Sequence, residues 1–362
     1  APIVLAGFLE CSHVRTPWRR HEHRTDHDRG NKLKGIRLYA VAALLAVSAA
    51  ATITPVEAQQ PRVLKFASIQ SAAQPSSKGM ERMAQIVAER TNGALKLQIY
   101  PDGALGTEQE STEGVQFGTI DMYMGSSGAV GRFLPSLEAF SSPYVWRDVD
   151  HMMKVVRGPI GEELNQDMIA KTGIRILDMG WFFGARHIAT KDFAVSKPTD
   201  LKGRKIRMQP TAIYVDAMTA MGANVIPMDF KEVYTGLQTG VISGLDNPAN
   251  VYAARSMWEV INNISLTGHI LQNQVVIINE KLFQGFSPEW RKIIVDAARE
   301  AGDYQTDLTI KGDQAALDQL ASHGVKVTKP DSTAFRAATV DVYKKYESKW
   351  KPGLYQRIVN TR

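Results

Sequence analysis

Strand-like and helix-like segments take turns along almost the whole chain, and this alternation restricts the fold more than any single residue does. Val63-Leu64-Lys65-Phe66-Ala67 is a short β run, and Leu95-Lys96-Leu97-Gln98-Ile99 alternates with the strand period of two. Between them Met80, Met83, Ile86 and Val87 share one helical stripe, with Ser76 or Ser77 as the expected N-cap and Asn92-Gly93 as the stop. Farther on, Ile174 to Leu177 is strand-like, Thr211 stands where it can cap a helix that Gly222 ends, and Asn224 to Pro227 leads into a helix from Lys231 to Gln238. Gln274 to Asn279 reads as a strand buried on both faces. A helical pattern of about 35 residues follows from Ser287 to Gly324, softened near Gly302 and Gly312, and a last helix is expected from about Ser332 to Trp350. Repeated β–α succession predicts α/β layers with mostly parallel sheets. The chain has 362 residues, room for roughly two domains. No repeat or low-complexity linker separates them, which predicts two domains knit together by more than one chain crossing.

The first 58 residues read as an address. Lys32, Lys34 and Arg37 precede an uncharged run from Leu38 to Ala51, and Val56-Glu57-Ala58 is a small-residue exit. That order makes a secretory signal peptide, with cleavage expected after Ala58 and export as its result. A membrane anchor fits less well, because the run is about 14 residues and a bilayer needs ~20. The leader holds eight basic and five acidic side chains, so +3 of the chain's net +6 belongs to it. The remainder gives no reason to expect nucleic acid or an anionic membrane as partner. The one cysteine, Cys11, also lies in the leader. A mature chain without cysteine has no thiol nucleophile, thiolate metal site or iron–sulfur cluster.

Catalytic signatures are missing as well: there is no G-x-x-x-x-G-K-[ST], H-E-x-x-H, G-x-S-x-G or G-x-G-x-x-G. The glycine cluster Gly125 to Gly131 lacks a phosphate loop's lysine and spacing and reads as a turn after a strand. His151, His187, His269 and His323 are isolated, so neither a metal nor any other cofactor is expected. Glu162-Glu163 reads as a solvated helix face.

One region is denser in special residues than a plain core needs. Gly184-Ala185-Arg186-His187 follows two aromatics, and Lys202 to Met208 reads as a turn and a strand that places Arg207 and Lys205 on one face. Pro227-Met228-Asp229-Phe230 enters a helix, and Gly244-Leu245-Asp246-Asn247-Pro248 ends a strand in a turn. Each arginine alone reads as a solvent-facing charge. Together with Phe230 and Asn247 they can form an anion site, with guanidinium forks for a carboxylate, an amide for a hydroxyl and an aromatic wall for the carbon frame.

The stretch Leu201-Lys202-Gly203-x-Lys205-Ile206-Arg207, then Met221-Gly222-Ala223 and Pro227-Met228-x-Phe230-x-Glu232-Val233-Tyr234, resembles the TRAP transporter substrate-binding proteins of the DctP family. Tyr100-Pro101, Leu105-Gly106-x-Glu108 and Gln116-x-Gly118-x-Ile120-Asp121 extend the likeness upstream, and His269-Ile270-Leu271 extends it downstream. The resemblance implies a two-lobed periplasmic binding protein fold, two α/β domains joined by hinge strands and a long helix. Domain I would take residues 61–183 and about 273–312, and domain II about 184–272 and 313–362. It implies a receptor without enzymatic activity that captures a small organic acid and delivers it to the small and large membrane subunits of a TRAP transporter. By the same likeness Arg207 pairs with the ligand carboxylate, Arg186 and Asn247 assist, Phe230 packs on the ligand, and Glu108 and Ser126 face its distal end. Departures at Asp246 and Asp229 leave the ligand's identity open.

Two other readings compete: a solute-binding protein of an ABC importer, which shares the two-lobed architecture, and a periplasmic enzyme acting on a carboxylate with His187 or Glu108 as base. Export has a direct test. N-terminal sequencing of protein from the native envelope should begin at or near Gln59, and retention of residues 1–58 would refute it.

Overall fold

A computed structural model describes residues 60–362; the leader, and with it the expected signal peptide, lies outside the described residues. Among these residues nine strands form one connected sheet: β1 (Arg62–Ala67), β2 (Leu95–Tyr100), β3 (Met122–Ser126), β4 (Ile174–Thr190), β5 (Lys205–Met208), β6 (Asn224–Pro227), β7 (Gly244–Asn247), β8 (Asn263–Asn279) and β9 (Lys326–Thr328). Their order is β2-β1-β3-β8-β4-β7-β5-β6, with β9 beside β8. The two ends are parallel, as β–α alternation requires: β1 runs with β2 and β3, and β5 with β6 and β7.

With β8 and β9 also parallel, five of the eight strand pairings are parallel as expected, and the centre is the exception. β4 pairs antiparallel with β8 and β7, and β8 antiparallel with β3. Both β4 and β8 are 17 residues long, whereas the sequence shows strand character only at Ile174–Leu177 and Gln274–Asn279. In β4 the rest is masked by glycines and by aromatics without alternation, because that strand is covered on both faces. β4 begins opposite the end of β8, Ile174 facing Asn279, and ends opposite its start, Thr190 facing Asn263. One strand pair therefore joins the β1–β3 half of the sheet to the β5–β7 half. Register shifts between Asp178 and Trp181, Phe182 and Gly184, and Arg186 and Ile188 bend it on the way.

The expected long helix is Pro288–Ser322, unbroken through Gly302 and Gly312, with the Ser287 hydroxyl accepting from Trp290 N–H at 3.2 Å as its cap. It packs on β4, on the Pro75–Arg90 helix and on the Ala249–Ala254 helix, and so touches both halves. Other boundaries differ from expectation. The Pro75–Arg90 helix is capped at Gln74, because Pro75 occupies its first turn and leaves Ser76 and Ser77 inside, both buried. The glycine cluster holds the one-turn helix Ser127–Val130 instead of a plain turn, with Ser126 Oγ accepting from Ala129 N–H at 3.1 Å. The last helix stops at Thr339, where Thr339 Oγ1 turns back onto Phe335 C=O (2.9 Å) and β-branched Val340 and Val342 follow. Two 3₁₀ turns and a separate helix, Leu354–Asn360, complete the chain. Glu163 is no idle surface charge: it receives Lys351 at 2.8 Å and Arg357 at 2.6 Å, tying this tail to the Pro159–Thr172 helix.

Trp181, in the middle of β4, is fully buried between two helices, and its indole N–H donates to Ala298 C=O at 3.0 Å. Both helices present glycines to it. A Cβ on Gly79 would stand 2.6 Å from the ring, and one on Gly302 would stand 2.7 Å from it and 2.9 Å from Asp178 Oδ2. In an exposed helix, Gly→Ala gains about 0.5–1 kcal/mol. Here the clash reverses the sign: Gly302→Ala should lower stability by about 1–3 kcal/mol, read as a lower urea midpoint.

Candidate functional site

The short parallel strand β5 buries Ile206, Arg207 and Met208 while leaving Lys205 exposed, so the two basic residues of one face part company. Arg207 is only 2 % exposed. Its Nε–H donates to Met228 C=O at 2.8 Å, and its guanidinium stands 5.5 Å from the Phe230 ring centroid. No carboxylate of the described residues pairs with it. Burial, together with the nearby Arg186 charge, pulls it down to about 10, so it stays protonated at neutral pH.

Arg186, on β4, is buried too, but its charge is spoken for. Nε and Nη2 donate to the two Asp246 carboxylate oxygens at 2.6 Å each, and Nη2 also reaches Asp246 C=O at 2.7 Å. Nη1 donates to Gln272 Oε1. β4 and β7 produce this pair, since Ile188 lies opposite Asp246 and Arg186 is two residues along the same face. Asp246 Oδ2 also accepts from His269 Nε2 (3.1 Å), while His269 Nδ1 meets Thr267 Oγ1 at 2.8 Å. Burial alone would raise the Asp246 carboxyl; Arg186 holds it far below the usual carboxylate range.

A cavity of about 190 Å³ opens over these side chains. Five of the six residues singled out in the sequence line it: Arg186, Arg207, Phe230, Asn247 and Glu108. Asn247 offers a buried amide nitrogen, Nδ2, with no partner. Ser126 does not reach the cavity; it stands behind Glu108, whose Oε1 lies 3.4 Å from Ser126 Oγ and N. Burial raises the Glu108 carboxyl against the Ser126 N–H bond and the charges of Arg207 and Arg186.

Sequence reasoning missed several lining residues. Gln209 follows Arg207 by two along the strand direction, and its amide donates to Glu108 Oε2 at 2.6 Å and Ser126 Oγ at 2.9 Å. Arg255 stands 5.6 Å from the Phe230 centroid, pairs with Asp102 at 3.0 Å and donates to Ile69 C=O at 3.0 Å. Lys231 donates to Gly103 C=O at 3.1 Å. Period-two spacing from Arg207 was a usable signal for Gln209; nothing local marks Arg255. Among the aromatics, Phe183 reaches the cavity, whereas Trp181 belongs to the core. Among the described residues no group of three or more His, Cys, Asp or Glu is placed to hold a metal.

His187, paired opposite Asn247, is buried, and its Nδ1 accepts from Gly268 N–H at 3.1 Å, which requires an unprotonated Nδ1. Burial, with His269 close by, pulls its pKa down to about 3. A folded-state pKa below the unfolded value of about 6.5 gives stability that is complete above pH 6.5 and lost as pH falls toward 3. This residue should therefore cost about 1.4 kcal/mol per pH unit below about 6.5. Urea unfolding between about pH 7 and pH 5 should show a shallower pH slope in His187→Asn than in the wild type.

Residues 66–349 match the family described as bacterial extracellular solute-binding protein, family 7 (DctP). The 2,3-diketo-L-gulonate-binding periplasmic protein YiaO of Escherichia coli is 35% identical over 304 residues, 84% of this chain and 91% of that protein. A TRAP periplasmic solute-binding protein of Citrobacter koseri, solved with bound D-glucuronate, superimposes with a TM-score of 0.78 at 32% identity, covering 83% of this chain and 100% of the other. One from a Bordetella species, with density interpreted as pantoate, gives 0.79 at 30% identity over 83% and 99%. No helix of the described residues is long and apolar enough to cross a membrane. With a two-ended α/β sheet, a cavity lined by two buried arginines and a family match over nearly all the described residues, the chain belongs to the DctP family of extracellular solute-binding proteins.

Proposed function

We propose that the protein captures a small sugar acid, closes over it and presents it to the small and large membrane subunits of a TRAP transporter, without chemical turnover. Export would follow removal of the leader near Ala58. The observation that carries this reading is the buried Arg207. Arg186 is paired with Asp246, whereas Arg207 is buried and protonated and no carboxylate of the described residues pairs with it, the nearest negative charges being those of Asp246, Glu108 and Asp229. A ligand carboxylate supplies the missing charge, and the free Asn247 amide is placed to donate to it. Phe230, Phe183, Val251 and Met257 give the carbon frame apolar faces, and Gln70, Thr107, Gln209, Tyr234 and Gln272 set hydrogen-bonding groups among them. A hydroxylated acid uses such a wall; an apolar acid leaves it unpaired at a cost. The relatives named for diketo-gulonate and solved with glucuronate support the same class.

In this reading residues 61–183 with about 273–312 form one domain, and about 184–272 with 313–362 the other. β4, β8 and the Pro288–Ser322 helix connect them. The bonds from Gln209 to Glu108, Arg255 to Asp102 and Lys231 to Gly103 are then closing contacts, populated in proportion to how much better the closed form holds the ligand. Glu108, backed by Ser126, meets the end of the ligand remote from the carboxylate.

The test uses Arg207. Arg207→Met should weaken binding of D-glucuronate, or of the best acid in a panel, by about 10²–10³, because the carboxylate would be buried without its partner. Arg207→Lys keeps the charge but not the fork and should fall between. Without ligand, Arg207→Met should unfold at an equal or higher urea concentration than the wild type, since an unpaired buried charge is gone. Binding within threefold of wild type by calorimetry would show that the carboxylate is held elsewhere.

A further inference from the structure

A second cavity, of about 180 Å³, adjoins the first. The two share Thr107, Glu108, Gln209, Pro210 and Asp229 as a common wall. Within that wall Gln209 is the side chain that spans the gap. It is buried, it leaves the chain just past β5, and its amide reaches across to Glu108 at 2.6 Å and Ser126 at 2.9 Å. The far chamber carries several polar groups beside Ala129 and Pro210. Arg132 lines it, with one guanidinium nitrogen on Gln109 Oε1 (2.6 Å) and the other on Pro210 C=O. Thr211 Oγ1 is buried there without a partner. The exposed Arg132 cation, an amide and an unsatisfied hydroxyl, set against Glu108 and Asp229 on the shared wall, suit a second hydroxylated unit with its acid turned toward Arg132.

We propose that Gln209, pinned by Glu108, sets the length of the ligand. With Gln209 in place an acid of one sugar unit fills the first cavity and stops. Without its side chain the two cavities become one, able to take a uronate extended by a second uronate, its far carboxylate toward Arg132. This rests on the reading of the first cavity as a sugar-acid site. Glu108 contributes by holding the amide, so the specificity lies in a side-chain pair that bridges the cleft and not in the residues around the carboxylate.

Calorimetry with D-galacturonate and its (1→4)-linked dimer separates the possibilities. The wild type should prefer the monomer by about a hundredfold, which is what losing two to three hydrogen bonds and gaining a clash amounts to. Gln209→Ala and Gln209→Ser should each cut that preference by at least about tenfold, and adding Arg132→Ala should take back part of the gain. A wild type that binds both lengths alike, or a preference unchanged in both variants, would overturn the partition. A wild type that takes up no sugar acid of either length overturns the reading of the first cavity as well. Because the comparison is a ratio of two ligands on one protein, loss of folded material does not imitate either result.

Discussion

Two arginines are buried side by side, and among the described residues only Arg186 has a carboxylate paired with it, while Arg207 has none. Every other property of the site follows from that imbalance. The Arg186–Asp246 pair, with His269 and Gln272 saturating its remaining atoms, fixes the floor of the cavity as a neutral, rigid unit. Arg207 is then an uncompensated charge at 2 % exposure, an arrangement that costs free energy unless an anion arrives. In the reading proposed above, a ligand carboxylate offsets that cost.

Phe230 links this charge to the rim. Its ring has Arg207 at 5.5 Å and Arg255 at 5.6 Å, and Arg255 continues to Asp102 and to Ile69 on the β1 side of the cleft. A single aromatic thus borders both the binding group and a contact that bridges the cleft. Glu108 is arranged similarly, accepting from Gln209 on one oxygen while its other oxygen stays within 3.4 Å of Ser126. The cleft is held by a few polar bridges, while the apolar clusters lie above and below the sheet.

Much of this was legible in the sequence, for identifiable reasons. β1, β2 and the Pro288–Ser322 helix announce themselves through period and length, and Arg207, Phe230 and Asn247 through a motif whose order and spacing are distinctive. β4 and β8 were legible only at one end; β4, buried on both faces and interrupted by Gly180 and Gly184, has no alternation to read. The role of Asp246 was hidden for a different reason. In the sequence it is a departure from a common pattern; only pairing between β4 and β7 shows that it neutralises Arg186, sixty residues away. Arg255 and Asp102 meet through tertiary folding alone, and no local pattern carries that information.

The Arg186–Asp246 pair also has a consequence for how the protein can change over generations. Replacing either partner alone strands the other charge in the interior, at about 3–5 kcal/mol, a large part of the stability of an ordinary domain. Exchange of the pair requires two substitutions at once, or an intermediate that barely folds. The walls contributed by Glu108, Gln209 and Thr107 carry no such penalty, since none of them belongs to an ion pair whose other half would be stranded. Ligand choice can therefore drift one residue at a time, while the paired floor of the cavity is inherited as a locked unit.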